Sequence, residues 1–313
     1  MYETNYTEVY EFVFLGLSTC RPVQHFLHAF SAVFYLTIVL GNTLVMITVT
    51  LDTHLHSPMY LLLGNLLFID LCLSTLTVPK MMSNLYSGHN TISFQGCVIQ
   101  IFVLHILGGS EMVLLVAMAL DRYVAICKPL HYLTIMSPRM CSLLLSGTWL
   151  IGIIHSVVQL AFVVHLPFCG PNDIDSFYCD LPQFIKLVCS DTYSMELLVT
   201  ANSGFISLGT FSLLIISYIL ILFTVWKRPS GCLSKALSTL SAHISVVVLF
   251  FGPCIFVYMW PFPTVPVDKF LAIVDFLITP ILNPAIYTLR NKDMKLAMRR
   301  LIGQLLGLRK ISK

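Results

Sequence analysis

Charge is what this sequence has least of. Asp, Glu, Lys and Arg make up 11% of its 313 residues, against roughly 25% in soluble domains. A soluble fold this poor in charge would have no polar surface, so lipid is the expected solvent for most of the exterior. Catalytic and metal signatures are missing as well. No two of the ten cysteines stand in a Cys-x-x-Cys pair, and neither His-Glu-x-x-His nor Gly-x-Ser-x-Gly occurs, so no enzyme is expected. There is no internal repeat, which counts against a transporter built from two inverted halves. The first 20 residues carry Glu3, Glu8 and Glu11 without a basic-then-apolar order. No cleavable signal is expected there, and the first span would serve as the insertion signal.

Long apolar runs are abundant. Hydrophobic residues make up 57% of the chain, and mean hydropathy is +0.85. Seven runs stand out, at 29–51, 59–79, 97–120, 143–164, 197–226, 244–261 and 270–289. Each has about the length a spanning helix needs. Barrel strands are half as long and alternate in polarity. The expectation is an all-α membrane protein, a seven-transmembrane-helix bundle forming one domain. Residues 1–25 are read as an extracellular N-terminus, 26–289 as the bundle and 290–313 as a cytoplasmic tail. Leu296, Met298, Leu301, Ile302 and Leu305 alternate with basic residues in that tail, as in a short amphipathic helix lying on the membrane. With the N-terminus outside, all of the 18 Lys and Arg except Arg21, Lys80, Lys186 and Lys269 fall on the cytoplasmic side; the positive-inside rule selects that orientation. The net charge of +3 therefore carries no suggestion of nucleic acid. Asn5-Tyr6-Thr7 is a glycosylation sequon on the outer side. Cys97, Cys169, Cys179 and Cys189 cluster there too and favour disulfides, with Cys20 left over.

Three constellations carry chemistry. Asp121-Arg122-Tyr123 closes the third span, where an Arg at the bilayer edge must be paired or must snorkel. Asp121 can lock it; once free, it can meet the C-terminal carbonyls of an entering helix. The seventh span holds Pro280-Ile281-Leu282-Asn283-Pro284-Ala285-Ile286-Tyr287. Its two prolines break the backbone ladder and leave carbonyls in need of partners. Asn283 can supply donors, and Tyr287 can swing. Asp70 and Glu111 are buried carboxylates in spans two and three. Each needs a proton, a partner or a cation. A bound sodium ion and a neutral hydrogen-bonded core are both open. Beyond these, helical spacing places Ile101, Leu104, His105, Gly108, Gly109 and Met112 on one face of span three. The same spacing groups Asn202, Phe205, Ile206 and Gly209 in span five, and Phe251, Cys254, Ile255 and Tyr258 in span six. Such stripes serve helix packing as well as ligand pockets.

The Asp121-Arg122-Tyr123 and Asn283-Pro284-x-x-Tyr287 motifs resemble those of rhodopsin-type G-protein-coupled receptors. Several further stretches resemble the odorant receptors among them. They are Gly41-Asn42, Leu55-His56-Ser57-Pro58-Met59-Tyr60, Pro79-Lys80-Met81-Met82, Met118 to Cys127, Lys128-Pro129-Leu130-His131-Tyr132, Ser217-Tyr218 and Lys235 to His243. The likeness covers nearly the whole chain and is closer to the land-vertebrate class; Phe168-Cys169-Gly170-Pro171-Asn172 suggests family four. Leu240 and Ala242 depart from the family's usual Cys and Ser. The resemblance implies that Cys97 pairs with Cys179 and Cys169 with Cys189, and that Asp70 and Glu111 share a sodium site near Asn42 and Asn283. It implies that the three stripes, with Ile273 and Phe276, line an odorant pocket. Tyr218 would join Arg122 and Tyr287 in the switch. It also implies a stimulatory olfactory G protein, cAMP, and residence in the plasma membrane of olfactory sensory cilia. Leu104 stands where aminergic receptors carry an Asp, and Asn202 and Tyr258 suggest a neutral, hydrogen-bonding odorant. The alternative is a receptor of the same fold for a non-volatile metabolite outside the nose.

Overall fold

The computed structural model describes residues 10–161, 168, 172–189, 193–227, 230–259 and 267–305. Asn5 and Cys169 lie outside them. The long helices are α1 (Arg21–Leu51), α2 (Pro58–Ser87), α3 (Phe94–Cys127), α4 (Pro138–Ala161), α5 (Tyr193–Trp226) and α6 (Ser230–Met259). The seventh, α7, runs through Val267–Ile273, a π-helical turn Val274–Ile278, and Thr279–Arg290. A final helix, α8, spans Lys292–Leu305. Six of these helices are long and apolar enough to cross a membrane among the described residues, and α6 contributes the apolar stretch His243–Ile255. Large apolar side chains such as Phe26, Leu40, Leu150, Ile216 and Phe223 stand exposed on the outside of the bundle, a surface suited to lipid rather than water.

Local sequence explains where the helices begin and end. α1, α2 and the short turn Pro129–His131 carry a proline at their first or second position, where its missing N–H would be unpaired in any case. α1 begins eight residues ahead of the apolar run at residue 29, with Pro22 in its first turn, a position that the fixed φ of proline suits. α2 stops at Gly88, which takes the left-handed φ of +72°. Ser93 caps α3 by accepting from the Gly96 N–H at 3.1 Å. Asn291 opens α8, its Oδ1 accepting from the N–H groups of Asp293 (2.9 Å) and Met294 (3.3 Å). Met294, Ala297 and Leu301 are the buried stripe of α8, consistent with the amphipathic spacing expected of it.

One end of the bundle carries a small sheet that the apolar pattern did not foretell. Glu11–Phe14 pairs antiparallel with Thr91–Ser93 and parallel with Asp173–Ile174, so the N-terminal strand is the central one. Phe12 and Phe14 are buried beneath it, and Phe12 packs on Phe94, Phe168 and Phe184. The Cys97–Cys179 disulfide ties the loop after α4 to the start of α3, as the family likeness implied. Cys189 is also disulfide-bonded. Lys269 at the head of α7 donates to Asp175 Oδ1 at 2.5 Å and to the Gly16 carbonyl at 3.0 Å, which pins the loop to the bundle. We call this the capped end.

Candidate ligand cavity and the Asp-Arg-Tyr end

Beneath the cap lies a cavity of about 120 Å³. That is somewhat smaller than an engineered cavity of ~150 Å³ that holds benzene, so it suits a molecule of about one ring. α3 contributes Leu104, His105, Gly108, Gly109, Glu111 and Met112. His155 of α4, Ser203 and Ile206 of α5, and Phe250 and Cys254 of α6 complete the sides, and Tyr178 to Asp180 come in from the loop above. α7 adds Ala272, Asp275, Phe276 and Thr279.

The stripe expected on α3 therefore faces the cavity, except for Ile101, which is buried with Phe12, Phe168 and Phe184 under the cap. On α5 the expected face is turned by about one residue. Phe205 is 84% exposed on the outer surface, and Gly209 is exposed too. Asn202 donates to His155 Nδ1 at 3.3 Å and does not line the cavity. The inward face is Ser203, Ile206, Ser207 and Thr210. The physical reason is the solvent: in lipid the bulkiest apolar side chains can face outward, and small hydroxyl residues go between helices. On α6, Cys254 lines the cavity, while Phe251 is buried against Phe211 and Phe250. Ile255 and Ile273 pack against the main core beside it. The Tyr258 side chain lies outside the described ones. Sequence reasoning missed His155 and Asp275. A lone His in an apolar run gives no direction, and the turn that aims Asp275 inward is π-helical, which an ideal 3.6 spacing cannot anticipate.

The prolines of α7 find partners on neighbouring helices. Pro280 leaves the carbonyl of Phe276 without its helical donor, and Ser74 Oγ of α2 donates to it at 2.8 Å. Pro284 likewise frees the carbonyl of Pro280, which accepts from Asn42 Nδ2 of α1 at 2.9 Å. Asn283 does not serve the broken ladder, as its position had suggested. Its Nδ2 donates to both oxygens of Asp70, at 2.8 and 3.1 Å. Glu111 Oε1 and Asn283 Oδ1 are buried without a hydrogen-bond partner. Among the described residues no three of His, Cys, Asp and Glu group as a metal site.

At the far end of α3, Arg122 donates to Asp121 Oδ2 through Nη2 and, at 3.0 Å, through Nε. The other oxygen of Asp121 accepts from Tyr132 OH at 2.6 Å. Burial and the Asp121 carboxylate push the Tyr132 phenol up from its ordinary range, so it remains a donor at any physiological pH. Tyr218 of α5 meets His243 Nδ1 of α6 at 3.1 Å. Tyr287 OH is buried with no partner. Tyr123 packs beside Val124, Met136 and Cys141.

A seven-helix bundle with a roofed, ligand-sized cavity at one end and a paired Asp-Arg at the other defines a seven-helix membrane receptor. The olfactory receptor family model matches residues 30–305. Human (Homo sapiens) olfactory receptor 4F15 is 61% identical over 98% of both chains. Human olfactory receptor 4F6 is 61% identical over 99% of this chain and 100% of its own. Human olfactory receptor 4K5 is 56% identical over 100% of this chain and 97% of its own. The chain belongs to the olfactory receptor family, with family-four relatives, and is a multi-pass membrane protein.

Proposed function

We propose that the chain is an odorant receptor that binds a small, mostly apolar odorant in the cavity and activates a stimulatory olfactory G protein to raise cAMP. The observation that carries this reading is the arrangement along α3. Met112 lines the cavity and Arg122 sits in the Asp121 lock ten residues on, about 15 Å along one helix. In this reading the capped end is extracellular, the N-terminus is outside, and the receptor works in the plasma membrane of olfactory sensory cilia. A ligand acts only by binding the active packing more tightly than the resting one. Arg122 then leaves Asp121, the Tyr218–His243 contact between α5 and α6 loosens, Tyr287 rearranges, and a G-protein helix enters.

Gly108 separates binding from folding. It lines the cavity, and a Cβ built on it would meet nothing within 4 Å. Gly108→Leu is expected to fill the space and abolish odorant-evoked cAMP while surface delivery stays normal. A full odorant response in this variant would place the ligand elsewhere.

The unpartnered oxygens of Glu111 and Asn283 beside the Asp70–Asn283 contact suit a hard cation such as sodium, which prefers oxygen donors. Asp70, Glu111 and Asn283 would hold it and it would neutralise carboxylate repulsion in the resting bundle. Replacing sodium by choline should lower the melting temperature of the purified wild type and leave Asp70→Asn unmoved. An equal response from both proteins would remove the ion from this account.

A further inference from the structure

The cavity is one-sided in its chemistry. Glu111, Asp275 and Asp180 line it, and among the described residues no Lys or Arg does. Lys269, the cation of α7 nearest in sequence, is committed to Asp175 and the Gly16 carbonyl. Asp180 has a local task, its Oδ1 accepting from the Leu181 N–H at 2.9 Å. Asp275 has none, and Glu111 none beyond the sodium ion proposed above: Glu111 is 1% exposed, and one oxygen of each, Glu111 Oε1 and Asp275 Oδ1, is buried without a hydrogen-bond partner. Asp70, by contrast, is satisfied by Asn283.

The histidine beside them points the same way. His105 Nδ1 lies 2.8 Å from the Ile101 carbonyl, which can only accept, so Nδ1 carries the proton. Its Nε2 then presents a lone pair, and it too lacks a partner. Three side chains lining one cavity thus each keep an unmet acceptor, and two of them are carboxyl groups. Such groups are costly to hold in an apolar interior unless something brings donors or a positive charge to them. A carbonyl or ester odorant brings neither. A carboxylate brings repulsion. A protonated primary amine brings three N–H donors and one positive charge on one atom.

We propose that the cavity recognises a small odorant bearing a basic amine, with Asp275 as its counter-ion and Glu111 and His105 as further acceptors. This rests on the reading of the cavity as the ligand site and revises the ligand class that Asn202 and Tyr258 suggested: Asn202 is spent on His155. It also explains how a receptor with Leu104 on α3 can hold an amine, because the acid comes from the π-helical turn of α7. Glu111, shared with the sodium ion proposed above, contributes an acceptor, and Asp275 carries the charge.

The test uses the full-length receptor purified in lipid nanodiscs and three ring compounds of one shape: cyclohexylmethylamine, cyclohexylmethanol and cyclohexanecarboxylic acid. Binding is read as ligand-induced thermal stabilisation, at concentrations well above the weak affinity expected of so few atoms. The amine should stabilise wild type more than the alcohol does, and the acid should not stabilise it. Asp275→Asn, matched in size and read against its own unliganded melting temperature, should weaken the amine by about tenfold or more and leave the alcohol little changed. The proposal is overturned if the amine fails to bind, if the alcohol binds at least as well, or if Asp275→Asn holds the amine like wild type. A cAMP assay in cells runs beside it. Asp275-dependent amine binding without cAMP would sink the signalling reading and keep this one. Gly108-sensitive cAMP evoked by neutral odorants without amine binding would do the reverse.

Discussion

Tyr132→Phe is expected to raise ligand-independent cAMP. The substitution removes one hydroxyl, on the loop helix Tyr132–Ile135, and leaves the ring. What is lost is the 2.6 Å hydrogen bond to Asp121. Asp121 is 1% exposed and holds Arg122 with its other oxygen, so its carboxylate has few ways to recover a donor from water. A hydrogen bond to a charged group is worth about 1.5–3 kcal/mol, which corresponds to roughly a tenfold or larger change in the ratio of locked to unlocked states. Basal cAMP, normalised to receptor at the surface, should rise severalfold, and the evoked increment should shrink in proportion. Asp121→Asn should go further, since it weakens the grip on Arg122 itself. Basal signalling equal to wild type in both variants would mean that this cluster is not the lock.

The second large effect is structural. Gly152→Val is expected to prevent the receptor from reaching the cell surface. A Cβ at Gly152 would lie 2.6 Å from the Ile106 carbonyl oxygen and 2.9 Å from the Ser110 nitrogen. Both are backbone atoms of α3, so no rotamer change relieves the clash; α4 would have to move away. That movement would also disturb Gly109, whose own Cβ would stand 3.3 Å from Gly152 Cα, and the 2.6 Å hydrogen bond from Ser156 to the Phe102 carbonyl. Overpacking commonly costs about 1–3 kcal/mol, occasionally more, which is a large part of a domain's net stability of about 5–15 kcal/mol. Gly147→Val on the same helix is the control, because a Cβ there meets nothing within 4 Å. Surface staining against total protein should separate the two variants clearly. Equal delivery would show that α3 and α4 are not in such close contact.

Much of this was legible in the residues. Hydropathy alone located the helices, because a bilayer demands long apolar runs and satisfied backbone groups. The Asp121–Arg122 pair could be read from adjacency. The register of α3 could be read because glycines and a histidine interrupt its apolar stripe on one side. The register of α5 could not, since its helix is apolar nearly all round and the bulkiest residues, Phe205 among them, belong to the lipid. Nor could the partners of the α7 carbonyls. The sequence says that Pro280 and Pro284 free two acceptors, but that Ser74 and Asn42 answer them depends on how α1, α2 and α7 meet. Tyr132 as the second hand on Asp121, and His243 as the partner of Tyr218, are long-range contacts of the same kind. The cap is the clearest omission. Three short strands from residues 11–14, 91–93 and 173–174 have no pattern strong enough to stand out beside runs of twenty apolar residues.

The order of those strands bears on how the molecule is made. The central one is the first to leave the ribosome, yet its parallel neighbour is synthesised about 160 residues later, and pairing across such a separation is slow. Phe12 and Phe14 must wait uncovered through the insertion of four helices, a period in which a nascent chain is vulnerable to misassembly. Escort factors or fusion partners that shelter this segment during biosynthesis should therefore improve yield.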